Sequence, residues 1–201
     1  MKTQMIYLMC VLIVILSSHA QAKVIFVDDD VDLIWEQSYG GSSDDHAKEL
    51  LLTQDGNIVV AGTTSSFGMG NNDVYLLKTD RNGSMLWGNT FGTSQYEYAN
   101  ALTATSDDSF IIAGWESYEP SINNASILMI KTDSEGNEVW TKQFDYDSGI
   151  YAMSVIEAFD SNYIAVGSCY KNNDSKAGLL KSDTSGNEMW LKVYDSQYSY
   201  S

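Results

Sequence analysis

The sequence predicts an almost entirely β protein assembled from repeated four-stranded antiparallel units. Three observations predict it. Trp35, Trp87, Trp140 and Trp190 recur at intervals of 52, 53 and 50 residues, and an aromatic follows each by four positions: Tyr39, Phe91, Phe144 and Tyr194. Between them the same landmarks return in the same order. DGNIVVAG (55–62) answers DSFIIAG (108–114) and SNYIAVG (161–167), while LLKTD (76–80) answers MIKTD (129–133) and LLKSD (179–183). Finally, Gly83, Gly136 and Gly186 each stand four residues before a Trp. No stretch carries a long 3.6-residue apolar period with caps, and one Pro in the chain leaves the turns to Gly, Asn and Asp.

Each unit divides into four short runs of apolar, β-branched or aromatic residues, in the first unit near 47–53, 57–64, 73–79 and 84–91, here called a, b, c and d. Asp55-Gly56 sits between a and b and Asn82-Gly83 between c and d. Such dipeptides supply the positive φ angles of tight antiparallel hairpins, so the unit reads as a meander. Four strands at a period near fifty is the arithmetic of a β-propeller blade. Immunoglobulin-like sandwiches, with seven strands in about a hundred residues, fit the period poorly. The expectation is three complete blades, near 46–92, 98–145 and 151–194, preceded by one orphan strand d at 33–39, an incomplete or open ring. The four tryptophans, Trp35, Trp87, Trp140 and Trp190, are expected as structural residues packing between neighbouring blades.

What precedes the repeats reads as an address. Residues 1–22 carry Lys2, an apolar run from Met5 to Leu16 and Ala20-Gln21-Ala22, the pattern of a signal peptide, and the apolar run is too short to span a bilayer. Cleavage after Ala22 would leave Cys169 as the only thiol, no internal disulfide, and a secreted, extracellular or periplasmic protein without a membrane span. Residues 23–32, with Asp28-Asp29-Asp30 and Asp32, read as an acidic linker.

With 27 Asp plus Glu against 11 Lys plus Arg, the net charge is −16, which argues against nucleic acid, because phosphate binding needs clustered cations. An apolar content of 44% is enough for a real core.

The run from Gly40 to Trp87 resembles the tandem propeller repeats of secreted bacterial and archaeal proteins, whose pattern is GG…D…A…T.DGG.I..G.T.SFG.G..D.YL.K.D..G...W. The resemblance covers residues 35–194. The first unit matches best. In the later units the SFGMGNND loop becomes YEPSINNAS (118–126) and NNDSKAG (172–178), and the leading GG becomes Gly92-Thr93 and then Asp145-Tyr146. The resemblance implies a secreted, repetitive, noncatalytic propeller. The Gly-x-x-x-Trp ending is also similar to the tryptophan-docking motif of quinoprotein propellers. Here the Asp-to-Gly spacing is one residue shorter and no vicinal Cys pair is present, so that likeness implies blade packing rather than a quinone.

In a propeller the d–a and b–c loops share one face, and here they are the long and variable set, at 40–46, 93–98 and 145–150 and at 65–72, 115–126 and 168–176. They carry Phe67, Tyr96, Trp115, Tyr118, Tyr146 and Tyr170 beside Asp44, Asp45, Glu97, Glu116, Glu119, Asp147 and Asp174. Aromatics beside carboxylates can stack on sugar rings and accept their hydroxyl hydrogen bonds. The expected function is a secreted binding or adhesion module for a glycan or an extracellular protein, with self-assembly as a way to complete the ring. The alternative is part of a carbohydrate-active or quinoprotein-like propeller enzyme. Catalytic arrangements are thin: His46 and Cys169 are the only residues of their kinds after residue 22, which leaves no histidine-based zinc set and no triad beyond His46. No cofactor is expected. Calcium is better motivated than zinc because oxygen ligands abound, yet Asp80-x-Asn82-Gly83 and its repeats are too short for an EF-type loop.

Overall fold

The computed structural model describes residues 10–13, 22–27, 33–147, 149–171 and 174–194. The protein is all-β over these residues, with three four-stranded antiparallel sheets. The first comprises β4 (Asp45–Leu52), β5 (Ile58–Thr64), β6 (Asp73–Thr79) and β7 (Met85–Phe91). The second comprises β8 (Tyr96–Ala104), β9 (Phe110–Ser117), β10 (Ser126–Thr132) and β11 (Glu138–Phe144), and the third β12 (Ile150–Glu157), β13 (Tyr163–Lys171), β14 (Asp174–Ser182) and β15 (Glu188–Tyr194). Each is a meander in chain order, and none closes on itself.

The turns follow from their residues. At the c–d hairpins Asp80, Asp133 and Asp183 each accept two backbone N–H bonds through one carboxylate oxygen, from Asn82 and Ser84, Glu135 and Asn137, and Ser185 and Asn187. Gly83, Gly136 and Gly186 follow at φ +81°, +77° and +77°, where a Cβ is disfavoured. At the a–b hairpins the left-handed position is held by Gly56, Asp108 and Ser161 in turn, and only the first unit uses glycine there. Each a–b turn also takes an ion pair from strand c: Lys78 to Asp55, Lys131 to Asp107 and Lys181 to Asp160, at 3.3, 2.8 and 2.5 Å.

The sheets stack face on face. Val59, Ala61, Val74, Leu76 and Phe91 of the first sheet pack against Ala99, Leu102, Phe110, Ile112, Leu128 and Ile130 of the second. One repeat later, Ile111, Ala113, Ile127, Met129 and Phe144 of the second pack against Ile150, Ala152, Val155, Tyr163 and Leu180 of the third. A one-residue bulge in each strand a, between Ala47 and Glu49, Ala99 and Ala101, and Ala152 and Ser154, shifts the alternation partway along the strand. That shift is why Ala99 and Leu102 face one interface while Ala101 faces the other. The bulge residue Asn100 donates Nδ2 to the Ala152 carbonyl at 2.8 Å, tying one bulge to the next.

On the third sheet no described residue covers the corresponding face. Val166 and Tyr194 are 40% and 50% exposed, and Ile164 and Leu179 are half-buried, where their counterparts in the first two sheets are buried.

The N-terminal reading needs correction. The strand at 33–39, β3 (Leu33–Tyr39), is not an orphan. It pairs with β2 (Ala22–Val27), which pairs with β1 (Cys10–Ile13). Phe26 stands opposite Trp35 and Val27 opposite Leu33 with a register shift between them, as Lys78 stands opposite Trp87 and Thr79 opposite Met85. Residues 22–27 therefore occupy a strand-c register, and the segment read as a linker is a strand over much of its length. β1 falls within the apolar run of the segment read as a signal peptide. The remainder of that segment and Asp28-Asp29-Asp30 lie outside the described residues.

Candidate functional site

In each meander the d–a and b–c connections lie at one end, and hydrogen bonds sew them into a continuous surface. Asp45, the first residue of β4, is buried, and its carboxylate is fully engaged. It accepts from the Gly41 N–H at 2.9 Å, from Ser66 Oγ at 2.7 Å and from Thr64 Oγ1. Ser66 Oγ accepts in turn from the Ser43 N–H. Asp45 thus fastens a d–a loop to a b–c loop, whereas Asp44 beside it is exposed. The next d–a loop joins the same surface through a parallel bridge between Asn72 and Tyr96 and through the Glu97 N–H donating to the Asn72 carbonyl at 2.8 Å. The third does so through the Ile150 N–H and the Ala125 carbonyl at 2.7 Å, beside the single 3-10 turn Ile122–Asn124.

The aromatics divide by what they touch. Trp115 belongs to β9, not to a loop, and stacks on Tyr98 of β8 with ring centroids 4.0 Å apart and planes 15° from parallel. Tyr170 is likewise within a strand, β13, and stacks on Tyr151 at 6.0 Å. Tyr146 packs against the core between the second and third sheets. Phe67 tilts against Tyr75 at 5.7 Å and borders a groove of about 350 Å³ with Tyr39, Gly40 and Met85. Tyr118 is 85% exposed, and Asp147 is exposed. Tyr96 is half-buried at the start of β8. The nine residues share one end of the three sheets; the structure does not gather them into one pocket.

The tryptophans have a common role. The Trp35 ring lies against Gly83, where an added Cβ would stand 2.8 Å from it, and its Nε1 donates to the Arg81 carbonyl at 2.9 Å. Trp87 lies against Gly136, and Trp140 against Gly186 with Nε1 donating to the Thr184 carbonyl at 3.2 Å. Two of the rings also meet the first residue of the next strand b: Trp87 reaches Phe110 at 6.4 Å and Trp140 reaches Tyr163 at 6.0 Å. The glycine four residues before Trp87, Trp140 and Trp190 is therefore the dock for the tryptophan of the preceding unit. For Trp190 the described residues hold no such dock, and Lys192 Nζ lies 5.2 Å from its ring centre.

Three buried acids at the same loop-bearing end escaped the sequence reading as a group: Asp73, Glu97 and Glu116. Asp73 accepts from the Met69 and Gly70 N–H groups at 3.3 and 3.2 Å. Burial pushes the Glu97 carboxyl above the ordinary carboxylate range. Hydrogen bonds from Thr93 oppose that rise, and the charges of Glu116 and Asp73 add to it. Glu116 is raised by burial as well, against a hydrogen bond from Gln143 and with Asp145 adding to the rise. The repeat offers a signal for Glu97: it stands two residues before the buried Ala99, on the side of β8 that faces the first sheet.

No protein-family model matches the chain, and no curated protein matches it. Among solved structures it is similar to a crystal structure of the eukaryotic initiation factor, at 6% identity and a TM-score of 0.44, over 92% of this chain and 51% of that one. It is also similar to an endo-1,4-beta-xylanase from Bacteroides thetaiotaomicron VPI-5482, at 8% identity and a TM-score of 0.43, over 92% of this chain and 75% of that one. The chain thus spans about half the length of the first of these structures.

Among the described residues no three His, Cys, Asp or Glu side chains are arranged ready-made around a metal position. The hairpin aspartates have given their oxygens to backbone N–H groups, which compete with any cation at those turns. No helix of the described residues is long and apolar enough to cross a membrane. Cys169 is buried in the core between the second and third sheets.

Proposed function

We propose that the chain is a secreted, noncatalytic β-propeller binding module whose loop-bearing end takes a glycan or an extracellular protein. The observation that carries this reading is the stacked Tyr98–Trp115 pair at that end, with the exposed Tyr118 following on the same b–c connection. A flat aromatic platform suits the apolar face of a sugar ring. Glycan-array binding by the purified chain is expected to fall at least tenfold in Trp115→Ala, and binding to no polysaccharide or extracellular protein overturns the reading.

The propeller part of the proposal draws on the stacking of successive sheets, each laying its strand a across the face of the sheet before it. In this reading the uncovered face of β12–β15 takes a second copy of the chain, which extends the arc of blades. Light scattering is expected to show association that Val166→Lys reduces; a compact monomer at all concentrations counts against it.

A further inference from the structure

We propose that Asp73, Glu97 and Glu116 form a binding site for a hard divalent cation, Ca²⁺, at the loop-bearing end of the interface between the first and second sheets. Glu97 is 1% exposed; its Oε1 accepts from the Thr93 N–H at 3.0 Å and from Thr93 Oγ1 at 2.6 Å, while its Oε2 is buried with no hydrogen-bond partner. A buried carboxylate oxygen without a partner is among the most unfavourable groups a protein interior can hold.

Its neighbours deepen the problem. Glu97 and Glu116 stand directly opposite each other on β8 and β9, a like-charge pair in a position where like charges repel. Asp73, also 1% exposed, reaches the same place from the first sheet. A Cβ built on Gly92 would collide with both Asp73 Oδ1 and Glu97 Oε2, so the two oxygens border one atom-sized space that the glycine leaves open. That space adjoins a cleft of about 250 Å³ lined by Gly92, Thr93, Glu97, Glu116 and Gln143, which provides a way in.

The other two units solve the same position without a cation. In the first, Asp45 stands opposite Thr64, whose hydroxyl donates to it; in the third, Ile150 stands opposite Cys169, and both are buried. Only the second unit sets two carboxylates face to face and brings in a third from the sheet before it.

An all-oxygen donor set on three separate strands selects calcium. Zinc prefers nitrogen and sulfur, and magnesium demands a near-ideal octahedron, whereas Ca²⁺ accepts six to eight oxygens at about 2.3–2.6 Å in irregular arrangements that include carbonyls and water. Glu97 and Asp73 supply the two oxygens at the Gly92 space, and Glu116, which lines the adjoining cleft and takes a hydrogen bond from Gln143, would have to turn in from across the strand pair. A site that needs such a movement belongs with the weak, roughly 10⁻⁴–10⁻³ M calcium sites of extracellular modules. The inference does not depend on any ligand at the aromatic platform.

Tb³⁺ luminescence sensitised by the nearby Tyr98 and Trp115, measured on the whole chain, tests it. The wild type is expected to give saturable Tb³⁺ emission that Ca²⁺ displaces. Its Tm in Ca²⁺ at tenfold excess over Kd should exceed that in EDTA by about 3–6 °C. Glu97→Gln, nearly isosteric, and Asp73→Asn should each lose both signals, while Glu119→Gln in the exposed loop keeps them. Three outcomes overturn the site: no Ca²⁺-dependent shift in the wild type, the same shift in Glu97→Gln, or a Glu97→Gln protein that is more stable in EDTA beside a wild type indifferent to Ca²⁺. The last would mean that a shared proton resolves the buried acids.

Discussion

Trp140→Ala is expected to destabilise the protein by about 3 kcal/mol, the lower end of the range for truncating a large aromatic, because the ring is half-buried rather than sealed. Three contacts disappear together: the face against Gly186, the tilted contact with Tyr163, and the Nε1 bond to the Thr184 carbonyl. All three lie in the next unit, so the loss falls on the coupling between the second and third sheets. For a chain of this length the melting temperature should drop by about 6–12 °C. The comparison that gives the result its meaning is Trp190→Ala. Trp190 occupies the same register opposite Lys181 that Trp140 occupies opposite Lys131, but it has no docking turn among the described residues. Its truncation should cost under about 1 kcal/mol, as for an ordinary surface change. Equal losses at the two positions would show that the tryptophans stabilise their own hairpins rather than the junctions between units.

The repeat made most of this architecture readable, because a period in sequence becomes a period in space when each unit buries its face on the next. The tryptophan spacing, the Asp and Gly turn residues and the strand runs all report local geometry, and they place the four strands of the first unit within two residues and the bounds of each later unit by repetition. β2 was hidden for a local reason. Its apolar residues Val24–Val27 follow closely on the apolar N-terminal run, and the acidic stretch after it lacks the glycine that marks every other c–d turn. The sequence alone places Trp115 and Tyr170 in loops because b–c length varies between units, and only pairing shows that β9 and β13 run on to Ser117 and Lys171. The burial of Glu97 and Glu116 was harder still. A glutamate beside a variable loop reads as a solvated side chain, and the residues that enclose it, Asp73 and Gly92 of the preceding sheet, become neighbours only through the stacking of two sheets.

The clearest test of that stacking is a glycine. Gly136→Ala is expected to cost about 2–5 kcal/mol, from two sources of similar size. One is conformational: at φ +77° any Cβ sits in the left-handed region, a penalty of about 1–2 kcal/mol. The other is steric, since the new methyl would stand 2.6 Å from Cζ3 and 2.8 Å from Cη2 of Trp87, and relieving that contact must displace the ring from its dock at about 1–3 kcal/mol. Gly56→Ala separates the two. Gly56 has nearly the same φ, +78°, but the nearest atom to its added Cβ is the flexible end of Arg81 at 3.3 Å. It should therefore cost only the conformational part, about 1–2 kcal/mol. The difference in urea midpoints between the two variants measures the steric part, the Trp87 ring together with Asn89 Nδ2. In a Trp87→Ala background most of that difference should disappear, since the methyl then meets no ring and only Asn89 Nδ2, 2.9 Å away, still opposes it. If it persists there at full size, the extra cost at Gly136 comes from a neighbour other than the ring, Asn89 Nδ2 at 2.9 Å, and the junction between sheets rests on the aliphatic face without the tryptophan.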